Sequence, residues 1–473
     1  CMYAGVPYAP VSPAYSLLST VFGKLRQIFD LLTPGMVYVS DGARYERAVR
    51  AVLPSYTELV VNTNPIPGAT PFGDLVNTEP KTSLDVAHSR VHADTVFKIL
   101  FTSGSTGMPK GVINTHRMWA SNQEMARAYF QFLGDEPPVI VDWLPWNHTF
   151  GGNADVGLVI YNGGSLYIDR GRPAPGLFEE TIHTLRMIAP TMYWNVPKGF
   201  ESLIPYLRDD AAFRKHFFSR LKLLYYAGAG LSRKVWDVLA EIALQECGER
   251  ILLLTGLGST ETAPHALFGL KESDRPGLVG VPAPGVELKL VPTGNGKLEA
   301  RLRGPNITLG YWRRLDLTRA AFDEEGFYKL GDSLRFADES DPGKGFVFDG
   351  RIAEDFKLSS GTWVSLGPLR ARFVAHFAPY VQDVVIAGHD RDYLGALVFP
   401  TSEGRELKDA NKIFRELLQS FAATSTGNSN RIVAAIVMEE PASIDLGEIT
   451  DKGTINQRAV LDNRRNLVEE LYH

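Results

Sequence analysis

The stretch Thr102–Gly111, TSGSTGMPKG, decides how the rest of the chain is interpreted. It holds four hydroxyl side chains, three glycines and one lysine. Glycine lets backbone N–H groups approach an anion closely, and successive N–H groups together with hydroxyls form a cradle for phosphate oxygens. The apolar run Val96–Phe101 before it is typical of the end of a strand. We therefore predict a phosphate-binding loop, with a solvated Gly/Ser turn as the alternative.

This loop differs from a Walker loop, in which G-K-[ST] follows four spacer residues. Here Pro109 precedes Lys110, and Gly111 follows it. The string instead resembles the phosphate loop of the adenylate-forming superfamily, which contains acyl- and aryl-CoA ligases, luciferases and peptide-synthetase adenylation domains. The resemblance implies that the following residues bind ATP or AMP: Thr102, Ser103, Gly104, Ser105, Thr106, Gly107 and Lys110.

The composition is that of a globular protein with several domains. A length of 473 residues predicts roughly two to four of them. The net charge of -5 argues against a general nucleic-acid partner. Two cysteines, Cys1 and Cys247, cannot build a disulfide framework, which fits a reducing, cytoplasmic location. No apolar run reaches the roughly 20 residues that cross a bilayer, so we expect no membrane insertion.

Strand-like and helix-like segments alternate through most of the chain. Phe22–Leu32 predicts a helix and Met36–Ser40 a strand. The same pairing recurs at His116–Leu133 and Val139–Leu144. This alternation indicates an α/β fold of parallel and mixed sheets with flanking helices. Gly277–Asp349 then changes to short strands between Gly/Pro turns, which predicts a small β-rich subdomain.

The resemblance also implies domain boundaries. Gly350–Lys357, GRIAEDFK, resembles the linker that joins the large domain of the superfamily to a mobile C-terminal domain. It implies a large domain over residues 1–349, with 277–349 as its β-rich part, a hinge at 350–357 and an α+β lid at 358–473. In other members of the superfamily, a segment similar to the Gly/Pro-rich Ala4–Pro13 lies well inside the large domain. The resemblance therefore implies that the chain is truncated at its start.

Two further turns resemble nucleotide-binding elements of the superfamily. A strand-like segment runs into AGAGLS at Ala227–Ser232, and another runs into TGLGSTET at Thr255–Thr262. Glu261 would hold Mg²⁺, while Leu257 replaces the tyrosine that usually stacks on adenine. The structural alternative for the second turn is a capped helix start. The implied nucleotide contacts in these turns are Gly228, Ala229, Gly230, Gly258, Ser259 and Thr260, the last on the α-phosphate.

Later residues complete the implied site. Asp332, in the string YKLGD, would accept hydrogen bonds from the ribose hydroxyls, and Arg351 would reach the same sugar. Ala353 stands at the hinge position that usually holds Asp or Lys. In GEITDKGTINQR, at Gly447–Arg458, Lys452 would bridge the substrate carboxylate and the α-phosphate, although the usual G-K-I-x-R spacing is altered.

Pro145–Gly152, PWNHTFGG, corresponds to an aromatic/His segment that borders the acyl pocket of the superfamily. The implied pocket residues are Trp146, His148, Tyr193, Trp194 and Tyr226, with Asn195 as a polar contact. Each aromatic side chain could instead be a core residue, and the histidine a packed structural residue. The implied catalytic set is Lys452, Thr260, Glu261 and His148, the histidine without a proton-transfer role.

Strings such as LPWNHTFGG, GLGSTETAP and EITDKGTINQR look closest to bacterial feruloyl-CoA synthetases. The resemblance implies ATP-dependent conversion of a ferulate-like aromatic acid to acyl-AMP with release of pyrophosphate, then transfer to coenzyme A, as in aromatic acid catabolism. ATP, Mg²⁺ and coenzyme A are the implied cofactors, the partners are small molecules, and a homodimer is compatible with this function. The alternatives are a medium-chain fatty-acyl-CoA ligase, a peptide-synthetase adenylation module and a non-catalytic nucleotide-binding remnant.

Overall fold

The computed structural model describes residues 1–103, 108–174, 176–273, 276–294, 296–450 and 453–473. Two predicted parts of the site, Gly104–Gly107 and Lys452, lie outside the described residues. Within the described ranges no helix has both the length and the apolar character required to cross a bilayer. The helices of these ranges are Ala14–Leu17, Gly23–Leu32, Gly42–Val52, Phe72–Val76, Thr82–His88, His116–Tyr129, Val156–Asn162, Phe178–Met187, Pro197–Asp209, Ala211–Phe218, Arg233–Cys247, Leu315–Ala321, Leu366–His376, Ser402–Arg405, Ala410–Ala423, Gln457–Asn463 and Arg465–Glu470.

Parallel sheets form the first part of the large domain, as the strand–helix alternation predicted. Their strands are Met36–Asp41, Glu58–Thr63 and Thr70–Pro71 in one sheet, Val139–Asp142 and Ser165–Ile168 in a second, and Leu252–Leu254, Leu223–Tyr226 and Met192–Asn195 in a third. Leu223–Tyr226 and Met192–Asn195 are buried along their whole length. Strands covered on both faces need no alternation of polar and apolar residues, which explains their continuous apolar sequence.

The predicted phosphate loop belongs to an antiparallel hairpin. Val96–Ser103 pairs with Pro109–Thr115, and Thr102 lies opposite Lys110. The sequence analysis assigned no element to the second strand, because proline and glycine near its start lower strand propensity. The helix that follows, His116–Tyr129, ends earlier than the sequence predicted.

An antiparallel sheet forms the β-rich part of the large domain. Among the described residues its strands follow the order Gly256–Gly258, His265–Phe268, Leu278–Pro282, Phe346–Arg351, Tyr328–Phe336, Leu298–Arg303 and Glu287–Pro292. The sheet begins at Gly256 and therefore earlier than the β-rich region predicted from Gly277. Thr260–Thr262 is a short 3₁₀ turn and not the start of a longer helix. Ser259 N donates to Thr262 Oγ1 at 2.9 Å and closes this turn before the next strand begins.

The C-terminal part has an α+β structure, in agreement with the predicted lid. Its sheet contains Val381–Ala387, Leu394–Pro400 and Ile432–Val437, after a short ribbon of Phe356–Lys357 and Trp363–Val364. Phe373 and Phe421, from two different helices, pack with Val384 and Val398 on one face of the sheet. The other face packs against the helix Gln457–Asn463 through a second cluster. The predicted domain bounds themselves stay a prediction.

A buried ion pair ties the linker to the large domain. Lys297 Nζ lies 2.6 Å from Asp355 Oδ2, and the two side chains are 12% and 2% exposed. The same ammonium group donates to Asp349 O at 2.6 Å and to Ser365 Oγ at 2.8 Å. Asp355 Oδ1 accepts a hydrogen bond from Leu366 N at 3.0 Å, at the start of the first lid helix. One lysine thus joins the sheet, the linker and the lid.

We expect Lys297→Met to lower the melting temperature by about 3 °C. The substitution leaves the Asp355 carboxylate buried without a cation, at a cost of about 3 kcal/mol. The double variant Lys297→Met/Asp355→Asn should recover part of this loss, because the uncompensated charge is gone. Thermal unfolding followed by circular dichroism measures all variants.

Lys344→Met is the matched control for this experiment. Its ion pair with Asp338, at 2.7 Å, joins side chains that are 61% and 32% exposed. Exposed pairs contribute little, so the melting temperature should change by less than about 1 °C. Equal losses in the two lysine variants would contradict the role of burial at Lys297.

Candidate active site

Two predicted nucleotide contacts have buried hydroxyls without a partner. Thr102 Oγ1 lies at the base of the predicted phosphate loop, and Ser259 Oγ lies in the TGLGSTET turn. Neither oxygen meets a hydrogen-bond partner among the described residues. Buried polar atoms nearly always have a partner. Both hydroxyls are therefore available to a ligand.

We call the strands Val96–Ser103 and Pro109–Thr115, which flank the predicted phosphate loop, the phosphate hairpin. A chain of hydrogen bonds links it to Glu261. Lys110 Nζ lies 3.4 Å from Tyr311 Oη and 4.5 Å from the centre of the Tyr311 ring. Tyr311 donates its hydroxyl proton to Glu261 Oε1 at 2.9 Å. Burial, with a further contribution from the Glu261 charge, raises the pKa of Tyr311 well above its ordinary value, so the tyrosine keeps its proton. The sequence analysis missed Tyr311, because no local pattern links it to a carboxylate 50 positions away.

Several backbone contacts fix the turn that carries Glu261, a residue that is 6% exposed. Glu261 O accepts a hydrogen bond from Thr308 N at 2.8 Å. Asn306 Nδ2 donates to Thr262 O at 2.9 Å and to His265 O at 2.8 Å. An ionised carboxylate has about four acceptor positions, so one tyrosine donor leaves capacity for a cation. The carboxylate is thus held in place but not fully occupied.

Glu261 suits a Mg²⁺ ion that is held mainly by phosphate oxygens. Within the described ranges no group of three or more His, Cys, Asp or Glu side chains could hold a metal ion. Mg²⁺ commonly keeps several waters and takes one or two carboxylates plus substrate phosphates. A single carboxylate beside the phosphate hairpin fits this mode of binding, in which the ion arrives with the nucleotide.

The two glycine-containing turns have backbone reasons for their glycines. A Cβ on Gly258 would lie 1.8 Å from Pro264 O, so no larger residue fits there. Gly228 has a φ of 86°, in the left-handed region that glycine tolerates. Leu257, at the position of the usual stacking tyrosine, packs against the main core cluster. The adenine contacts predicted for these turns stay a prediction.

Asp332 and Arg351 lie opposite each other on adjacent strands. Arg351 Nε is 3.5 Å from Asp332 Oδ1, and the arginine side chain is 67% exposed whereas Asp332 is buried. Burial raises the pKa of Asp332 to about 6; Arg351 opposes the shift, and the charges of Glu354 and Glu261 add to it. Because Glu261 contributes, these two predicted site carboxylates are close enough to interact.

The predicted acyl-pocket residues lie in two different environments. Trp146 is 46% exposed and lines a cavity of about 260 Å³. His148 is half-buried, and its Nδ1 lies 3.3 Å from a backbone nitrogen two residues later. Tyr193, Trp194 and Tyr226 are buried in the core, as the structural alternative described. Their contact with a substrate stays a prediction.

A π-helical segment, Phe150–Asp155, follows His148 and was not predicted from the sequence. Lys98 Nζ donates to Gly152 O at 2.8 Å, and Trp119 Nε1 donates to the next carbonyl in the chain at 2.9 Å. Lys98 is 2% exposed, and burial lowers its pKa to about 7. Buried side chains from the hairpin and its helix thus hold the segment behind the predicted acyl pocket. Lys98, a lysine inside the apolar part of the strand Val96–Ser103, was the sequence feature that could have indicated this contact.

Asp142 and Asp155 form a buried acidic pair beside the π-helical segment. They are 3% and 0% exposed. Burial raises the pKa of Asp142 to about 7, and burial together with the Asp142 charge raises the pKa of Asp155 well above its ordinary value. The pair therefore retains a proton at neutral pH. Asp142 also lines the cavity beside Trp146.

Comparison with known proteins places these residues in context. A family model described as AMP-binding enzyme matches residues 1–312, and one described as AMP-binding enzyme C-terminal domain matches residues 356–473. A probable CoA ligase of Humulus lupulus is 27% identical over 334 residues, which cover 65% of this chain and 52% of that protein. A long-chain-fatty-acid–CoA ligase of Escherichia coli O157:H7 is 32% identical over 254 residues, covering 49% and 43%. The chain spans about half the length of these relatives.

A solved structure shares the fold. It is an anthranilate CoA ligase in complex with anthranoyl-AMP, with a TM-score of 0.71 and 21% identity. The superposition covers 95% of this chain and 81% of that chain. This likeness confirms the predicted fold class, a large α/β domain followed by a separate C-terminal domain.

We expect Asp332→Asn to raise the melting temperature at pH 7 by about 3 °C. The folded-state pKa of about 6 lies above the ordinary value of 3.8, so the folded protein binds this proton more tightly than the unfolded chain. The carboxyl therefore lowers stability increasingly as the pH rises from about 4 to about 6, by roughly 3 kcal/mol above that range. Asparagine carries no charge, so the difference from the parent should vanish near pH 4.

Asp316→Asn gives a control of opposite sign. The hydrogen bonds of Arg314 lower the pKa of the exposed Asp316 to about 2, so this carboxylate stabilises the folded protein above its ordinary pKa. Its removal should lower the melting temperature at pH 7 or leave it unchanged. A shift in the same direction for both variants would rule out burial as the cause at Asp332.

Proposed function

The chain belongs to the AMP-binding enzyme family, and we propose that it is an ATP-dependent acid–thiol ligase. It converts a carboxylate to acyl-AMP with release of pyrophosphate, then transfers the acyl group to coenzyme A. The observation that carries this proposal is the Lys110–Tyr311–Glu261 hydrogen-bond chain, which fixes a buried carboxylate beside the phosphate hairpin. The hydroxyls of Thr102 and Ser259, which meet no hydrogen-bond partner among the described residues, support it.

In the first half-reaction a carboxylate oxygen attacks the α-phosphorus, and the bond from that phosphorus to pyrophosphate breaks. Both reactants are negatively charged, so the site must hold them in line and supply positive charge. We assign Lys110 and Lys452 to this task, with the N–H groups and hydroxyls of Thr102–Gly107 and the Thr260 hydroxyl as hydrogen-bond donors. Glu261 would hold Mg²⁺, which supplies further positive charge to the phosphate oxygens when bound.

In the second half-reaction the thiol sulfur of coenzyme A attacks the acyl carbonyl carbon, and AMP leaves with the electrons of the broken C–O bond. The nucleotide must stay bound while the acyl group changes partner. An ionised Asp332 would accept hydrogen bonds from the ribose hydroxyls, and Arg351 would contact the same sugar. We place the pantetheine arm near Lys357–Gly361, at the start of the lid.

The substrate we propose is a hydroxycinnamic acid such as ferulate. The strings that resemble those of feruloyl-CoA synthetases support it, as does the exposed indole of Trp146 next to His148, which offers a flat wall for a ring. A structural neighbour acts on anthranilate, another aromatic acid. A medium-chain fatty acid is the second candidate, because one relative is named a long-chain-fatty-acid–CoA ligase.

A panel of acids tests the reaction and its specificity together. We expect pyrophosphate release with ferulate, at a kcat/KM at least about tenfold above that with octanoate, because a rigid ring loses less freedom in a preformed pocket. Release is measured by a coupled assay and the thioester by its absorbance. The reverse preference would favour the fatty-acyl ligase. Ordinary AMP binding by calorimetry without pyrophosphate release from any acid would favour a non-catalytic nucleotide-binding protein.

Lys452→Ala tests the assignment of the C-terminal lysine. We expect acyl-AMP formation to fall at least about a hundredfold, because one positive charge is lost from the in-line reaction. Thioester formation from supplied feruloyl-AMP should survive. Lys408→Ala, at an exposed lysine of the lid, is the matched control and should change neither rate. Equal loss of both half-reactions in Lys452→Ala would show that the lysine has been misassigned.

A further inference from the structure

The loop that carries Lys452 has a rigid frame of its own. We call residues 443–456 the C-terminal loop; its residues 451–452 lie outside the described ranges. Glu448, which is 1% exposed, accepts from Arg464 Nε at 2.9 Å and from Arg464 Nη2 at 2.7 Å. Asn463 Nδ2 donates to Leu446 O at 3.0 Å. These contacts come from the lid, so they build the loop without fixing its place against the large domain.

The described residues on the two sides of 451–452 also contact each other. Thr450 N donates to Thr454 O at 2.9 Å, and Gly453 N donates to Thr450 O at 3.0 Å. The Thr450 and Thr454 hydroxyls are 2.6 Å apart. The position of the C-terminal loop therefore sets where the chain enters and leaves the segment that contains Lys452.

Asp445 attaches this loop to the large domain. Its Oδ1 accepts from Ser19 Oγ at 2.5 Å, and its Oδ2 accepts from Thr20 N and Thr20 Oγ1, each at 2.9 Å. Partial burial opposes ionisation of this carboxyl, but the hydrogen bonds from Ser19 and Thr20 outweigh it and lower the pKa of Asp445. Asp445 is thus ionised at neutral pH. It accepts hydrogen bonds from Ser19 and Thr20, which lie just before the helix Gly23–Leu32.

An apolar contact next to Asp445 leads to the phosphate hairpin. Ile444 packs against the cluster of buried residues that includes Tyr15 and Phe22. Phe101, at the end of the strand before the phosphate loop, packs against the same cluster. The C-terminal loop and the phosphate hairpin therefore pack against the same cluster of buried residues.

From this geometry we propose that Asp445 is a positioning residue for acyl-AMP formation: its docking on Ser19 and Thr20 holds the C-terminal loop where Lys452 serves the first half-reaction. This inference rests on the proposed function and adds to it a residue that touches neither nucleotide nor acid. The contact consists of charge-assisted hydrogen bonds that are partly buried at Ser19 and exposed at Thr20, where each contributes modestly against water. Such a contact stabilises one position of the lid and still permits release.

The test compares the two half-reactions in Asp445→Ala. We expect pyrophosphate–ATP exchange with ferulate to fall roughly tenfold, because the docked position loses its hydrogen bonds. Thioester formation from supplied feruloyl-AMP should stay within about twofold of the parent, since that step does not need Lys452. If the acid panel favours octanoate, octanoate and octanoyl-AMP are the probes. The split between half-reactions is a result that general destabilisation would not give.

Two further variants sharpen the comparison. Asp462→Ala removes another lid aspartate, which makes exposed ion pairs with Arg458 and Arg465, and should leave both half-reactions unchanged. Thr20→Val removes one donor from the other side of the contact with little change of shape. The loss in Thr20→Val/Asp445→Ala should be smaller than the two single losses combined, because both variants break the same contact.

The outcomes separate this inference from the proposed function. No pyrophosphate release in the parent would sink the proposed function itself. An active parent with an Asp445→Ala exchange rate equal to that of Asp462→Ala would overturn the positioning role alone. Equal loss of both half-reactions in Asp445→Ala, with a lower melting temperature, would also overturn it and leave only a structural contact.

Discussion

The arrangement of the site depends on the burial of the Glu261 carboxylate. A buried carboxylate without donors is costly, and Tyr311 meets this requirement with a hydroxyl at 2.9 Å. Tyr311 in turn contacts Lys110 through its hydroxyl and its ring. The three residues belong to the Thr260–Thr262 turn, the segment after Thr308 and the phosphate hairpin. The electrostatic requirement of one side chain thus fixes three segments that are far apart in sequence.

Other buried charges are accommodated in different ways. Lys98 donates to a backbone carbonyl, and burial disfavours its charged form, which lowers its pKa to about 7. Asp142 and Asp155 keep a proton between them, because burial raises the pKa of both. Asp332 differs, since its pKa of about 6 leaves it mostly ionised at neutral pH, with Arg351 Nε 3.5 Å away. A carboxylate kept ionised at a cost in stability is typical of a ligand site.

The sequence predicted what depends on local pattern. The strand before Thr102, the parallel α/β sheets and the α+β lid all follow from residue order, and the structure has them. The strand Pro109–Thr115 was missed, because its first residues disfavour a strand and only pairing with the preceding strand makes it one. Tyr311 was missed because its partner Glu261 lies 50 positions away, and Asp445 was missed because its partner Ser19 lies 426 positions away. Spacing along the chain carries no information about such contacts.

Two polar contacts between the lid and the large domain differ in what they cost to break. Lys297 and Asp355 are buried, so their separation exposes the full penalty of unpaired charge. The contact of Asp445 is exposed at Thr20 and only partly buried at Ser19, so water can replace the two hydrogen bonds at Thr20. Ala353 lies just before Asp355 in the linker, and a rotation there must separate Lys297 from both Asp355 and Ser365. In the lid rotation that the family resemblance implies, the loop contact is therefore the one suited to release first, while the linker pair resists large rotation.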